Sequence, residues 1–280
     1  MDKVFITDCP RDALQGVDTF VPTEEKVRHI NTLLASGSFD RIDFGSFVSP
    51  KAVPQMADTA KVAEAIRDKN GTELLAVVLN SRGAEEGLNH EAIDVFGYPF
   101  SISETFQKRN GNSTIGESFD RLKEITHAVL RKNRKVEVYL SMAFGNPYND
   151  PWDKEIVLSW MEKIWDLGVS SISLADTVGN ANPSLVSELV TQILTVHPDL
   201  PLSVHLHSEP SQVREKVMAA YLAGCRRFDG AILGFGGCPF AQNELVGNIP
   251  SEELLRLFQR ANENQIYNLQ ESFKSLVYVH

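Results

Sequence analysis

The sequence predicts a TIM-type (β/α)8 barrel: an α/β fold, with eight parallel strands closed into a single domain. Three observations point to it. Short apolar runs rich in β-branched residues alternate with longer amphipathic segments along all 280 residues, the pattern of a parallel sheet covered by helices. There are eight such runs, which favours closure over an open sheet. The chemistry-capable side chains also fall just after the runs, where barrels of this kind carry their sites. A doubly wound sheet is the alternative, but no G-x-G-x-x-G follows a strand to open a helix.

The predicted strands are residues 4–7, 41–44, 73–79, 92–96, 136–143, 170–175, 202–207 and 227–231. Between them, "EEKVRHINTLLASG", "TAKVAEAIRDK", "SFDRLKEITHAVLRKN", "DKEIVLSWMEKIWDLG", "NPSLVSELVTQILTVH" and "PSQVREKVMAAYLAG" repeat apolar residues at three- and four-residue spacing, as amphipathic helices do. Gly37, Gly168 and Gly224 stand where helix C-caps belong. No linker, low-complexity tract or repeat of 20 to 50 residues divides the chain. Residues 1–280 therefore read as one barrel domain, with a helical extension from about 251 to 280.

Composition narrows the function. The chain is 42% hydrophobic and 23% charged, an ordinary globular balance. Its formal net charge of -10 opposes phosphate backbones, so nucleic acid is not an expected partner. No charged leader with a long apolar stretch follows Met1, and no window reaches the ~20 apolar residues of a membrane span. The expectation is a cytoplasmic protein without a membrane partner. Cys9, Cys225 and Cys238 are odd in number and widely spaced, and no C-x-x-C occurs, which argues against a disulfide framework or a cysteine zinc site.

Arg11 and Asp12 follow the first strand behind Pro10, in "FITDCPRDALQG". Asp43 ends the second, Asn80 and Arg82 follow the third, and Asp176 and Thr177 follow the sixth. "VHLHSE" ends the seventh. His205 and His207 are two apart, so on a strand both imidazoles face one side. Such a pair fits two hydrogen-bonded histidines as well as a chelate. Asp12 at the same mouth favours the chelate, a mixed nitrogen–oxygen site open to Mg, Mn, Zn or Co. Arg11 and Asp12 could form a plain surface pair worth about 0–1 kcal/mol. Neighbours in an extended segment face apart, however, which predicts separate jobs: the carboxylate on a metal, the guanidinium on an anionic oxygen. Cys238 follows Gly236 and Gly237 in the loop after the eighth strand. It fits a small buried thiol, the usual state of a free cysteine, as well as a functional thiol, which needs such a loop and polar neighbours. His29 and His127 fall within helix patterns, His90 begins a strand, and Trp152, Trp160 and Trp165 read as core or rim.

Taken in order, "PRDALQG", "DFGSFVSPKAVPQMADT", "SETFQKRNGNSTIGESFDR", "DTVGNANP", "VHLHS" and "GFGGCPFAQNELVGN" resemble the motif series of the 3-hydroxy-3-methylglutaryl-CoA lyase family, from about residue 5 to 255. The resemblance implies a metal-dependent barrel lyase. It would perform a retro-Claisen cleavage of 3-hydroxy-3-methylglutaryl-CoA, or a close 3-hydroxyacyl-CoA, to acetoacetate and acetyl-CoA. It carries cation ligands onto Asp12, His205, His207 and Asn248, with Asn243 as the alternative asparagine. The ion would be Mg or Mn before Zn or Co. The same resemblance makes Arg11 the group that polarises the thioester oxygen and Cys238 the catalytic thiol. Asp12 and His205 are the candidates for taking the hydroxyl proton. Gln15, Asp43, Asn80, Ser141 and Thr177 are read as substrate contacts, and analogy implies a homodimer. Three segments depart from the family pattern. Asp43 replaces a glutamate, Ser208-Glu209-Pro210-Ser211 replaces Asp-Thr-Tyr-Gly, and Arg82 lies where the family has a lysine region. Two other readings stand beside the lyase: an aldolase or Claisen-type condensing enzyme acting on a 2-oxo or hydroxy acid, and a non-catalytic metabolite-binding paralogue.

Overall fold

The computed structural model describes residues 3–236 and 246–278. Ten strands appear in chain order: β1 (Phe5–Asp8), β2 (Arg41–Ser46), β3 (Glu73–Val77), β4 (Val95–Ser101), β5 (Lys135–Ser141), β6 (Ser171–Ala175), β7 (Leu202–His205), β8 (His207–Ser208), β9 (Arg227–Gly230) and β10 (Gly247–Asn248). β1 to β7 and β9 form the predicted closed, parallel, eight-stranded barrel, in which β9 returns to pair with β1. The two short strands β8 and β10 pair antiparallel, Asn248 opposite His207. They follow the ends of β7 and β9 and form a small flap at the C-terminal mouth.

Two of the predicted strands need correction. The fourth begins at Val95, not residue 92, and runs on to Ser101 through Gly97 and Pro99. His90 accordingly lies before it in a turn, where its ring stacks on Phe47. The seventh barrel strand stops at His205, and His207 belongs to the flap.

Alternation along the strands separates two environments. Ile6, Ile42, Leu74, Phe96, Val138, Ile172, Val204 and Phe228 belong to one continuous buried core shared with the surrounding helices. Leu75, Val77, Val95 and Tyr139 form a separate small cluster inside the barrel. The helices carry local stop and start signals. Thr114 and Glu117 form a reciprocal capping box on Ile115–Leu130. Asn182 caps Pro183–Val196 through its side chain. Gly37 ends Thr23–Ser36 at φ +62°, a left-handed position that glycine takes without steric cost. The chain ends in helices Ser251–Leu257 and Glu263–Tyr278. The second packs on Thr23–Ser36, where His29 Nδ1 lies 2.9 Å from Ser272 Oγ and the His29 ring meets Phe273 edge-on. Burial holds the His29 imidazole neutral, its pKa pushed down to about 3. No helix among the described residues is long and apolar enough to cross a membrane.

The barrel floor is charged. Arg41, 2% exposed, binds Glu73 through Nε and Nη2 at 3.0 and 2.7 Å and reaches the fully buried Glu137 through Nη1. Ser171 Oγ donates to the same Glu137 oxygen, and the Arg41 and Arg227 guanidiniums lie over the Phe5 ring. Removing one member strands a charge in a dry interior. Arg41→Met is expected to lower unfolding free energy by about 3–5 kcal/mol, whereas the double variant Arg41→Met/Glu137→Met should recover most of that loss. Denaturant titration of the three proteins measures it; a single variant as stable as the parent would refute the assignment.

Candidate active site

Four segments build the site. Pro10 occupies the first helical position of Pro10–Leu14, so the chain turns into helix immediately after β1. Because this segment is helical and not extended, Arg11 and Asp12 are not kept apart as the sequence suggested: Nη1 of Arg11 lies 3.2 Å from Asp12 Oδ1. The same nitrogen donates to Gln15 Oε1, four residues on, at 2.7 Å. The rest of the guanidinium crosses to β2, where Nη2 meets Asp43 Oδ2 at 2.5 Å and Nε lies 3.1–3.2 Å from both carboxylate oxygens. Asp43 is fully buried, so this forked contact supplies the charge that makes its burial tolerable.

His205 ends β7 and His207 opens β8. One potential ligand atom from each of Asp12, His205 and His207 lies within 4.8 Å of the others, the only such group of three or more His, Cys, Asp or Glu among the described residues. The backbone around His207 is tied at two points. Its carbonyl accepts from the buried Lys216 Nζ at 2.9 Å, its main chain pairs with Asn248, and Asp176 follows in the same network, 4.0 Å from Lys216. Asn248 Nδ2 donates to Asp12 Oδ2 at 2.7 Å and to Phe235 O at 2.9 Å. Its amide thus bridges the flap and the first loop. Gly236 permits this closeness: at φ +86°, a Cβ there would meet Asp12 O and Ala13 Cα at 2.9 Å.

Electrostatics suit the group to a cation. Burial pushes the Asp12 carboxyl up, but Arg11, His205, the Asn248 bond and His207 outweigh it, so the acid titrates below its ordinary value and stays ionised. Burial, with His205 alongside, pushes His207 down to about 4, leaving a neutral imidazole with lone-pair capacity. Both ring nitrogens of His207 are buried and without a hydrogen bond. Buried polar atoms are rarely orphaned, and two imidazoles with a carboxylate are a donor set that could hold a divalent ion. Arg11 remains charged: burial disfavours its cation, and Asp43 and Asp12 overcome that penalty.

The remaining candidates divide. Gln15 and Asp43 join the site through Arg11. Ser141 ends β5, buried, with Ala175 and Ser101 as its register partners. Thr177 Oγ1 accepts from Met142 N at 2.8 Å. Asn80 caps helix Ser81–Gly87, its Oδ1 accepting from Gly83 N at 2.8 Å, and Arg82 is exposed. Cys238 and Asn243 lie outside the described residues. The sequence reading missed Lys216 and Asp229. Each left a signal: Lys216 interrupts the apolar stripe Val213, Val217, Ala220 of its helix, and Asp229 is an acid inside a buried strand.

Comparison with known proteins places the chain in a family and agrees with its fold. The HMGL-like family model matches residues 3–277. Mitochondrial hydroxymethylglutaryl-CoA lyase of Mus musculus is 34% identical over 264 residues, covering 94% of this chain and 80% of that protein. The 3-hydroxy-3-isohexenylglutaryl-CoA/hydroxymethylglutaryl-CoA lyase of Pseudomonas aeruginosa is 33% identical over 248 residues, covering 89% and 82%. The structure of an HMG-CoA lyase from Acinetobacter baumannii, in complex with coenzyme A and 3-methylmalate, matches with a TM-score of 0.89 at 32% identity, over 98% of this chain and 91% of that one. With a match from residue 3 to residue 277 and a barrel that superposes along its whole length, this chain belongs to the HMGL-like family.

Proposed function

We propose that the protein is a divalent-metal-dependent carbon–carbon lyase that cleaves 3-hydroxy-3-methylglutaryl-CoA, or a close 3-hydroxyacyl-CoA, to acetoacetate and acetyl-CoA. The observation that carries this reading is the meeting of Asp12, His205 and His207 at one barrel mouth, with the Arg11 guanidinium against Asp12. Asp12, His205, His207 and Asn248 would hold the ion, and their mixed nitrogen and oxygen donors suit Mg or Mn, with Zn or Co admissible. When bound, a divalent cation supplies Lewis-acid chemistry, lowering the pKa of the substrate's 3-hydroxyl.

The protein's own residues account for the remaining steps. Asp12 or His205 accepts the hydroxyl proton. The C2–C3 bond then breaks; C3 becomes the ketone carbon of acetoacetate, and the electron pair passes to C2 as the enolate of acetyl-CoA. Arg11 holds the negative charge that collects on the thioester oxygen. The Cys238 thiol returns a proton to C2. Gln15 and Asp43 hold Arg11 in place, and Ser141, Thr177 and Asn80 are proposed to face the acyl chain. Asp43, a methylene shorter than the family glutamate, and the Ser208-Glu209-Pro210 segment bear on which 3-alkyl group is accepted. The Pseudomonas aeruginosa relative is named for two such groups.

Incubation with 3-hydroxy-3-methylglutaryl-CoA and Mg or Mn should release acetyl-CoA, stop on chelation and resume when the ion is restored. Failure with every 3-hydroxy-3-alkylglutaryl thioester tried would exclude the lyase reading. Arg11→Met should lower kcat by about 10²–10³, the loss of one oxyanion donor, with Mn2+ binding retained in calorimetry. Cys238→Ser is expected to lose most turnover and keep Mn2+ affinity; parallel loss of both would move the thiol to the metal.

A further inference from the structure

Asp229 lies within β9, 2% exposed, and the reaction just described makes no use of it. Its Oδ2 stands 3.4 Å from His205 Nδ1 and accepts a 3.0 Å hydrogen bond from Ser173 Oγ. Neither His205 Nδ1 nor Asp229 Oδ1 makes a hydrogen bond. β9 runs between β7 and β1, and the register sets Phe228 opposite Val204 and Asp229 opposite Thr7. The strand that bears this carboxylate therefore touches the strand that ends in His205 and the strand that leads to Asp12. A buried carboxylate needs a partner, and His205 is the ion-pair partner it has among the described residues.

We propose that Asp229 is a positioning residue: its carboxylate holds a proton on Nδ1 of His205, fixes the ring plane, and leaves Nε2 as the ligand atom turned toward Asp12 and His207. With both nitrogens so engaged, the hydroxyl proton of the proposed reaction falls to Asp12 and not to His205. Carboxylate–histidine–metal arrays work this way, the outer acid setting the tautomer and orientation of the ligand. Ser173 fixes the carboxylate in turn. The inference rests on the metal reading proposed above.

The test uses Mn2+ calorimetry on the parent, Asp229→Ala and Asp229→Asn, together with nitrogen NMR of the metal-free parent in mildly alkaline buffer, with His205 identified by the signal lost in His205→Gln. Mn2+ affinity should fall about 10–100-fold in the alanine variant. The asparagine variant, whose amide oxygen accepts the same N–H, should stay near the parent. NMR should show His205 protonated at Nδ1. An alanine variant that binds Mn2+ like the parent, or a parent with the proton on Nε2, overturns the inference, and the NMR result requires no variant at Asp229 to fold. A parent that binds no Mn2+ overturns the metal site and this inference with it; a parent that binds Mn2+ but carries the other tautomer overturns this inference alone.

Discussion

The seam between β1 and β9 is the constraint on which the site depends. Its register runs from Phe5 opposite Arg227 to Asp8 opposite Gly230, and Cys9 N extends it to Gly230 O at 2.8 Å. This pairing places the turn with Arg11 and Asp12 beside strands from the far end of the chain. The seam is reinforced above the barrel: Ala231 N bonds Ile249 O, and Ser251 Oγ donates to the buried Asp8 Oδ1 at 2.5 Å. Burial pushes the Asp8 carboxyl up to about 7, with Ser251 pulling the other way. That stitch holds the segment after β10 against β1 and so delivers Asn248 to Asp12. In an open sheet with the same strands, the two edges would have no reason to meet.

Stability and function occupy opposite faces of the same strands. The outward side chains are nearly all apolar and join one core with the helices. The inward ones include Arg41, Glu137, Ser173, Asp229, Asp43 and His205, each at least nine-tenths buried. Buried charges of this kind do not repay their desolvation unless each meets a partner in good geometry. Here Arg41 meets Glu73 and Glu137, and Asp43 meets Arg11, as ion pairs; Asp229 faces His205 at 3.4 Å and accepts from Ser173. The outer shell can bear that cost. The interior pairs, once formed, have little freedom to rearrange, which is what a site that must hold its ligands in register requires.

The outward face is also why the fold was legible. Alternating β-branched and apolar residues mark a strand whether or not its inner face is known, and the eight runs and their order emerge from that signal. Where a strand's signal was broken, the reading slipped. Gly97 and Pro99 hid the second half of β4. The proline is tolerated because β3 ends opposite Gly97, leaving the later residues paired with β5 alone. At "VHLHS", strict alternation kept both histidines on one strand. The structure ends the barrel strand between them, and the pair still meets because β8 turns onto β10. Long-range partners were not legible. Nothing near Asp229 announces His205, and nothing near Lys216 announces the His207 carbonyl, because such contacts follow from closure and not from local spacing.

Arg11 shows how closure sets a chemical role. Local reading weighed a plain pair with Asp12, preferred separate jobs for the two, and gave Arg11 an anionic oxygen to bind. In the folded chain Nε and one Nη2 hydrogen serve Asp43, while Nη1 serves Asp12 and Gln15. The second Nη2 hydrogen has no partner among the described residues. A guanidinium gripped by three side chains cannot swing to follow a ligand, so in the proposed reaction the thioester oxygen must come to it, along the one direction still open. Asp43 sets that constraint: buried on β2 and held by Nε and Nη2, it fixes the plane of the guanidinium against the barrel wall, so the side chain on β2 and the turn after β1 act as one unit.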